Sequence, residues 1–241
     1  MVCCRVVSII ASRHNPLVAR FRAAARGDDP DGLVLLDGVH LVSEAISAGL
    51  RLPHALVCHA LPDASDALAL AHRLHAAGTR VEEATTAVFD AASPVRTPSG
   101  LVALAERPVL RVEDLFAGGR PVLVACNVQD PGNAGALIRT AEAAGAAGVI
   151  MAGQSADPFG WKALRGSMGS ALRVPVLRVP ELAAALALAR GHGYALVATV
   201  ARDGADLYEA ALPARCAVLV GGEGPGLPDA VSRAADARVT I

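Results

Sequence analysis

The stretch PVLVACNVQDPGNAGALIRTAEAAGAAGVIMA, residues 121–152, decides the fold class of this chain. Its two ends, 121–126 and 148–152, are continuous apolar runs, which is the pattern of strands buried on both faces of a parallel sheet. Between them, residues 133–144 follow a Pro-Gly turn signal and are rich in alanine, which predicts a helix. Strand, helix and strand in this order predict an α/β fold with a doubly wound parallel sheet.

The same alternation continues to residue 241, so we predict one domain over 121–241. In such a sheet a ligand binds beyond the carboxyl ends of the strands. The candidate loops therefore follow Cys126, Val200 and Val220. Further strands are predicted at 173–179, 194–200, 216–220 and 238–241, and helices at 161–172, 181–190 and 229–235.

The first hundred residues predict a smaller α/β domain over 1–106. Asn15 before Pro16 predicts the start of its first helix, and a turn cluster begins at Gly27. Residues 107–120 contain proline and two adjacent glycines, and are predicted to be the linker between the domains. The predicted strands are 33–36, 55–58, 80–82 and 101–105, and the later helices are 40–48, 64–77 and 86–92.

Composition narrows the class of protein. The 241 residues are 53% hydrophobic with a formal net charge of −1, which excludes a disordered chain. Every apolar run is shorter than the ~18 residues of a membrane span, so we expect a cytoplasmic protein without a membrane partner. The five cysteines have no C-x-x-C spacing and no histidine cluster, so we expect no metal.

The amino-terminal 27 residues are basic. They contain five arginines and no acidic residue, which is the pattern expected where a polyanion docks. The alternative is that these arginines form the solvated face of a helix. The candidate contacts are Arg13, Arg20, Arg22 and Arg26.

The helix after Cys126 carries a second candidate site. Asn133 is predicted to cap this helix and to leave amide donors free for an anion. Arg139 lies on a face of small residues, where a large ligand can approach it. The alternative is that Arg139 pairs with Glu142, three residues later.

Four glycines within residues 221–226 favour direct contact between backbone and a flat ligand, because a tight turn uses only one or two. The common nucleotide and hydrolase motifs are missing: the chain has no G-x-x-x-x-G-K-[ST], no H-E-x-x-H and no G-x-S-x-G. An oxidoreductase would need a glycine fingerprint after Cys126, where the sequence is Asn-Val-Gln-Asp-Pro-Gly instead.

Residues 127–141, NVQDPGNAGALIRTA, resemble the first signature motif of the SpoU/TrmH family of RNA ribose methyltransferases in the SPOUT superfamily. Residues 219–227, LVGGEGPGL, resemble its second motif, and residues 165–176 match a segment between the two. Residues 12–16 and 37–42 resemble the ribosomal-protein-like domain that binds substrate in the ribosomal RNA members.

The resemblance implies transfer of a methyl group from S-adenosylmethionine to a ribose 2′-hydroxyl of structured RNA, with 23S ribosomal RNA favoured. It also implies a homodimer in which both subunits approach one active site. Two alternatives stay open: a transfer RNA ribose methyltransferase, and an RNA-binding protein of the same fold without catalytic activity. In either case the first domain is expected to select the RNA through Arg13, Arg20, Arg22 and Arg26.

Site residues follow from the matching motif positions. The family fold ties a trefoil knot with a third motif, which would begin where residues 238–241 stand, so we expect that knot to be incomplete. The resemblance implies catalytic roles for Arg139, Asn133 and Glu223, and cofactor contacts for Thr199, Gly221, Gly222, Gly224, Leu227 and Ile241.

Overall fold

A computed structural model describes residues 9–61 and 64–240 of the chain. The chain forms two compact units. Of the described residues, the first unit contains those up to 108 together with 159–165, and the second contains 109–158 and those from 166 to 240. The assignment of RNA binding to one domain and catalysis to the other stays a prediction.

The first unit is a mixed five-stranded sheet with helices, in the strand order β1-β4-β3-β5-β2. β1, β4 and β3 are parallel to one another, whereas β5 is antiparallel to both of its neighbours. Phe21 and Phe89 are fully buried in its core. The elements are β1 (Ile9–Ile10), α1 (Pro16–Arg26), β2 (Val34–Asp37), α2 (Val39–Ser47), β3 (His54–Val57), α3 (Ala64–Ala76), β4 (Arg80–Ala84), α4 (Thr86–Ala92) and β5 (Leu101–Ala105).

Local residues determine both ends of the first helix, α1. The Asn15 side chain accepts a hydrogen bond from the Leu17 amide at 2.8 Å, and Pro16 occupies the first helical position. Gly27 ends the helix with φ 83°, a left-handed conformation that glycine adopts without strain. The prediction of this helix is confirmed at both ends.

The second unit is built on a seven-stranded sheet in the order β10-β12-β9-β11-β6-β7-β8, and its neighbouring strands pair in parallel throughout the described part. The predicted α/β class with a parallel sheet is confirmed. The elements after residue 108 are α5 (Val112–Leu115), β6 (Val122–Cys126), α6 (Pro131–Ala143), β7 (Gly148–Ala152), α7 (Trp161–Gly166), β8 (Val176–Val179), α8 (Leu182–Gly191), β9 (Ala195–Thr199), β10 (Ala205–Asp206), β11 (Cys216–Gly221), α9 (Asp229–Ala234) and β12 (Ala237–Thr240).

Two predicted segments differ from the structure. The helix predicted over 161–172 breaks after α7, because Met168 and Gly169 adopt left-handed φ values of 51° and 84° that a helix cannot contain. The segment 107–120 was predicted to be a linker, but it contains α5. Leu115 and Phe116 are buried in the core of the second unit.

The order of the strands places the candidate loops. The chain passes from β6 through β7 to β8, then returns to form β9, and β11 later inserts between β9 and β6. The loops after β6, β9 and β11 therefore leave the same edge of the sheet from neighbouring strands. The trefoil knot that the resemblance implies stays a prediction.

Candidate active site

The loops after β6 and β11 lie against each other. Cys126 and Gly221, the last residues of the two strands, are register partners. One residue later, a Cβ atom added to Gly222 would lie 2.3 Å from the carbonyl oxygen of Asn127. The two turns therefore meet at one edge of the sheet, as the sequence predicted.

A cavity of about 340 Å³ opens where β9, β11 and β12 end. Thr199, Gly221 and Leu227, three of the predicted cofactor residues, line it. The Thr199 hydroxyl donates to the Leu219 carbonyl oxygen at 2.9 Å, which leaves its oxygen lone pairs available to a ligand donor. Apolar walls are contributed by Leu207, Val220 and Val239.

Packing within the chain explains many of the glycines in the glycine loop, residues 221–226. A Cβ atom on Gly221 would lie 2.1 Å from the backbone of Gly226, so only glycine fits there. Gly224 and Gly226 have left-handed φ values of 80° and 67°. Gly222 and Gly224 are not among the residues that line the cavity, so their contact with a ligand stays a prediction.

Two residues that sequence reasoning missed hold the loop after β6. Asn127 adopts a left-handed φ of 56°, and its side-chain oxygen accepts from the Gln154 amide at 2.9 Å. The buried Ser155 hydroxyl oxygen accepts from the Val128 amide at 3.0 Å, and its single proton is shared between the backbone carbonyl oxygens of Ala125 in β6 and Ala152 in β7. Asparagine tolerates a left-handed backbone better than most other side chains. The identity of residue 127 was therefore the signal in the sequence that could have predicted this turn.

The start of α6 corrects one prediction. Asp130, not Asn133, caps the helix, and its carboxylate accepts from the Asn133 amide at 2.9 Å. The helix begins two residues earlier than predicted, because Pro131 suits its first position. A carboxylate at this end opposes the anion that we expected there. The Asn133 side chain does not cap the helix.

Arg139 is exposed and has no hydrogen bond or ion pair among the described residues. Glu142, its expected partner, instead accepts two hydrogen bonds of 2.8 Å from Arg173. The alternative that Arg139 is neutralised by Glu142 is therefore wrong. The guanidinium keeps its full charge and its donors.

Arg139 faces away from the cavity of its own chain. Leu137, Thr140 and Ala144 lie on the flank of α6 toward β11, where they form a groove with its residues. Arg139 and Glu142 occupy the opposite flank, toward Arg173 and β8. Arg139 is also eight residues into the helix, about 12 Å from its start at the sheet edge. The structure does not bring it into the cavity lining.

Comparison with known proteins decides the family. Residues 120–241 match the model of the SpoU rRNA Methylase family. The chain belongs to this SpoU family. It is 31% identical over 209 residues to the 23S rRNA (guanosine(2553)-2′-O)-methyltransferase RlmP of Bacillus subtilis, covering 86% of this chain and 78% of that protein. It is 30% identical to an uncharacterised tRNA/rRNA methyltransferase of Synechocystis, covering 92% of this chain and 80% of that protein.

Solved structures agree with the SpoU assignment. The AdoMet-bound rRNA methyltransferase of Sinorhizobium meliloti superposes with a TM-score of 0.82 at 27% identity, covering 97% of this chain and 88% of that one. The resemblance inferred from residues 127–141 and 219–227 is confirmed, and the chain is a methyltransferase of this family.

Two further predicted site residues are Glu223 and Ile241, and for neither does the structure describe a contact with the cavity. Glu223 is exposed in the glycine loop of the SpoU chain and is not among the residues that line the cavity. Ile241 lies outside the described residues.

Burial raises the pKa of the Cys126 thiol, at the end of β6, to about 11, so this cysteine packs as a neutral group.

The four candidate RNA-binding arginines divide into two pairs. Arg20 is bound by Asp29 at 3.3 Å and by Asp31 at 2.7 Å, and Arg26 is 3.3 Å from Asp28. These acids follow immediately after the acid-free residues 1–27. The positive charge of that segment is therefore partly neutralised, and the count of its arginines alone overestimates it. Arg13 and Arg22 instead bond backbone carbonyls of α4 and keep their charge.

Membrane spans and metal sites are the last two expectations, and both concern the described residues 9–61 and 64–240. No helix there combines the length and the apolar character that crossing a membrane requires. Within the same ranges, no three His, Cys, Asp or Glu side chains cluster in a way that could hold a metal ion.

Proposed function

We propose that this SpoU-family enzyme transfers a methyl group from S-adenosylmethionine to a ribose 2′-hydroxyl of structured RNA, with 23S ribosomal RNA as its substrate. The meeting of the loops after β6 and β11 beside the cavity carries the proposal. The name of the Bacillus subtilis relative supports the choice of substrate. The cytoplasm is the proposed site of action.

The cavity suits the nucleoside part of this donor. Its volume of about 340 Å³ falls in the range of small-ligand sites, about 300–1,000 Å³. Leu207, Val220 and Val239 offer apolar contact to an adenine ring, and Thr199 offers a hydroxyl oxygen. No ionisable side chain is among the lining residues, so Glu223 is the proposed partner of the donor's cationic end. When bound, the donor supplies an activated methyl group on a sulfonium.

Arg139 is the proposed catalytic residue. A guanidinium does not release its proton at neutral pH, so it cannot serve as an ordinary base. Its planar fork can hold an RNA phosphate and donate to the ribose hydroxyl, which aligns a weak nucleophile with the methyl group. Asn133, two turns closer to the sheet edge, offers a second polar contact to the RNA.

A shared active site follows from the direction in which Arg139 points. The arginine and the cavity lie on opposite flanks of the α6 and β11 pair, so one chain does not bring them together. In a homodimer, Arg139 of one protomer would complete the cavity of its partner. This geometry supports the proposed homodimer.

A transfer RNA substrate is the second candidate, because the Synechocystis relative is named a tRNA/rRNA methyltransferase. A map of ribose methylation in RNA from cells with and without the gene tests both. We expect one methylated position to disappear from 23S ribosomal RNA. Loss from a transfer RNA would favour the second candidate. An unchanged map of both RNAs would overturn the proposed activity.

A further inference from the structure

Two arginines of the first unit are held in place by backbone carbonyls of the same helix. Arg13 Nε donates to the Ala87 oxygen at 2.9 Å, and Arg22 Nε donates to the Ala91 oxygen at 2.8 Å. The two acceptors are four residues apart in α4, so they are separated by about one helical turn, ~6 Å. The two guanidinium groups are therefore anchored in a row along α4.

The anchoring bonds leave most of each guanidinium free. Each bond uses only the Nε donor, and both arginines are exposed. Their Nη groups have no other partner among the described residues. Arg20 and Arg26 differ, because carboxylates already neutralise them. Of the four, Arg13 and Arg22 alone therefore have unneutralised charge to offer to an anion.

We propose that Arg13 and Arg22 form a two-point clamp for consecutive phosphates of the RNA substrate, and that Arg20 and Arg26 do not contact the RNA. The inference rests on the proposed function, since it takes RNA as the ligand. The anchors restrain both side chains before the RNA arrives, which reduces the entropy lost on binding. The two anchoring carbonyl oxygens are about 6 Å apart along α4, and an RNA strand carries a phosphate at every nucleotide, so one strand can meet both guanidinium groups.

One acidic residue, Asp90, should weaken RNA binding at the clamp. Asp90 is exposed on α4, on the face that carries Ala87 and Ala91, and it has no ion pair among the described residues. Its carboxylate would repel a phosphate held by the two arginines. Removing this charge should therefore strengthen RNA binding if the clamp exists.

The test measures binding of the full chain to a 23S ribosomal RNA fragment over a range of salt concentrations. The slope of log K against log salt is negative, and each lost phosphate contact reduces its magnitude by about 0.7–0.9. We expect R13Q/R22Q to reduce the magnitude of the slope by about 1.4–1.8 and R26Q, the matched control, to leave it unchanged. We expect D90N to tighten binding by about two- to five-fold at low salt.

Loss of the anchors could also disturb the packing of α1 on α4, so R13K/R22K serves as a second variant. It keeps the charges and loses the Nε bonds, and we expect it to retain the slope with weaker affinity. A wild-type slope for R13Q/R22Q would overturn the clamp and assign both arginines to packing alone. Failure of the wild-type chain to bind the fragment would instead remove 23S ribosomal RNA as the proposed substrate.

Discussion

Glu142 accepts two hydrogen bonds from Arg173, each 2.8 Å long, across the flank of α6 that faces β8. This fork keeps the carboxylate away from the guanidinium one turn earlier on the same helix. Arg139 is left exposed and charged, with no partner among the described residues. The role proposed for Arg139 depends on this arrangement, because a neutralised guanidinium would attract an RNA phosphate less strongly.

Replacing Arg139 by alanine should abolish methylation and leave donor binding intact. Arg139 is proposed to hold the RNA phosphate and the ribose hydroxyl and not the donor, so the change should alter affinity for S-adenosylmethionine by less than about three-fold. Calorimetric titration with the donor and a methyl-transfer assay measure the two effects. Arg139→Lys, which keeps the charge but loses the planar fork, should recover only part of the rate. Loss of donor binding would show that Arg139 belongs to the donor site and would contradict its proposed contact with the RNA.

The proposed sharing of one active site by two protomers predicts complementation between two inactive chains. Arg139→Ala removes the arginine, and Ala201→Trp fills the cavity from an exposed position. A heterodimer of these two variants, purified through two different tags, contains one intact site of two. It should show about half of the wild-type rate, while each homodimer is inactive. An inactive heterodimer would mean that both elements must come from one chain.

Gly222→Ala should damage the site through the backbone. The added methyl group would lie 2.3 Å from the Asn127 carbonyl oxygen, a distance that forces the two loops apart. We expect loss of about 1–3 kcal/mol of unfolding free energy and much weaker donor binding. Gly191→Ala is the matched control, because nothing lies within 4 Å of its Cβ position. Urea unfolding of both variants measures the difference, and equal stability would refute the packing argument.

Cys126 should resist alkylation in the folded protein. With a pKa of about 11, only about one thiol in a thousand is ionised at pH 8, and the residue is buried. Labelling followed by peptide mapping should show slow reaction in buffer and rapid reaction in urea. Rapid labelling of the native chain would show that the end of β6 is open to solvent.

The sequence was most informative where one local rule sufficed. The Asn15-Pro16 start and the Gly27 end of α1 depend on neighbouring residues, and both were predicted. The doubly wound sheet and the meeting of the loops after Cys126 and Val220 followed from uninterrupted apolar strands and their topology. Thr199, Gly221 and Leu227 came from the motif resemblance, and the cavity gathers all three.

The sequence was less informative where the outcome depends on partners distant in the chain. The pairing of Glu142 with Arg173 spans 31 residues, so spacing on one helix could not reveal it. Asp130 and Asn133 are both good capping residues, and only the backbone shows which one does so. The two-residue strand Ala205–Asp206 is too short to show a period.

Transfer of labelled methyl groups from S-adenosylmethionine to 23S ribosomal RNA, followed by alkaline hydrolysis, tests the proposed chemistry most directly. A methylated 2′-hydroxyl cannot attack the neighbouring phosphate, so the linkage beside it survives alkali. We predict that the label appears in alkali-resistant dinucleotides and that Arg139→Ala removes it. Label released in mononucleotides, or label that the Arg139 variant transfers equally well, would contradict ribose methylation by this site.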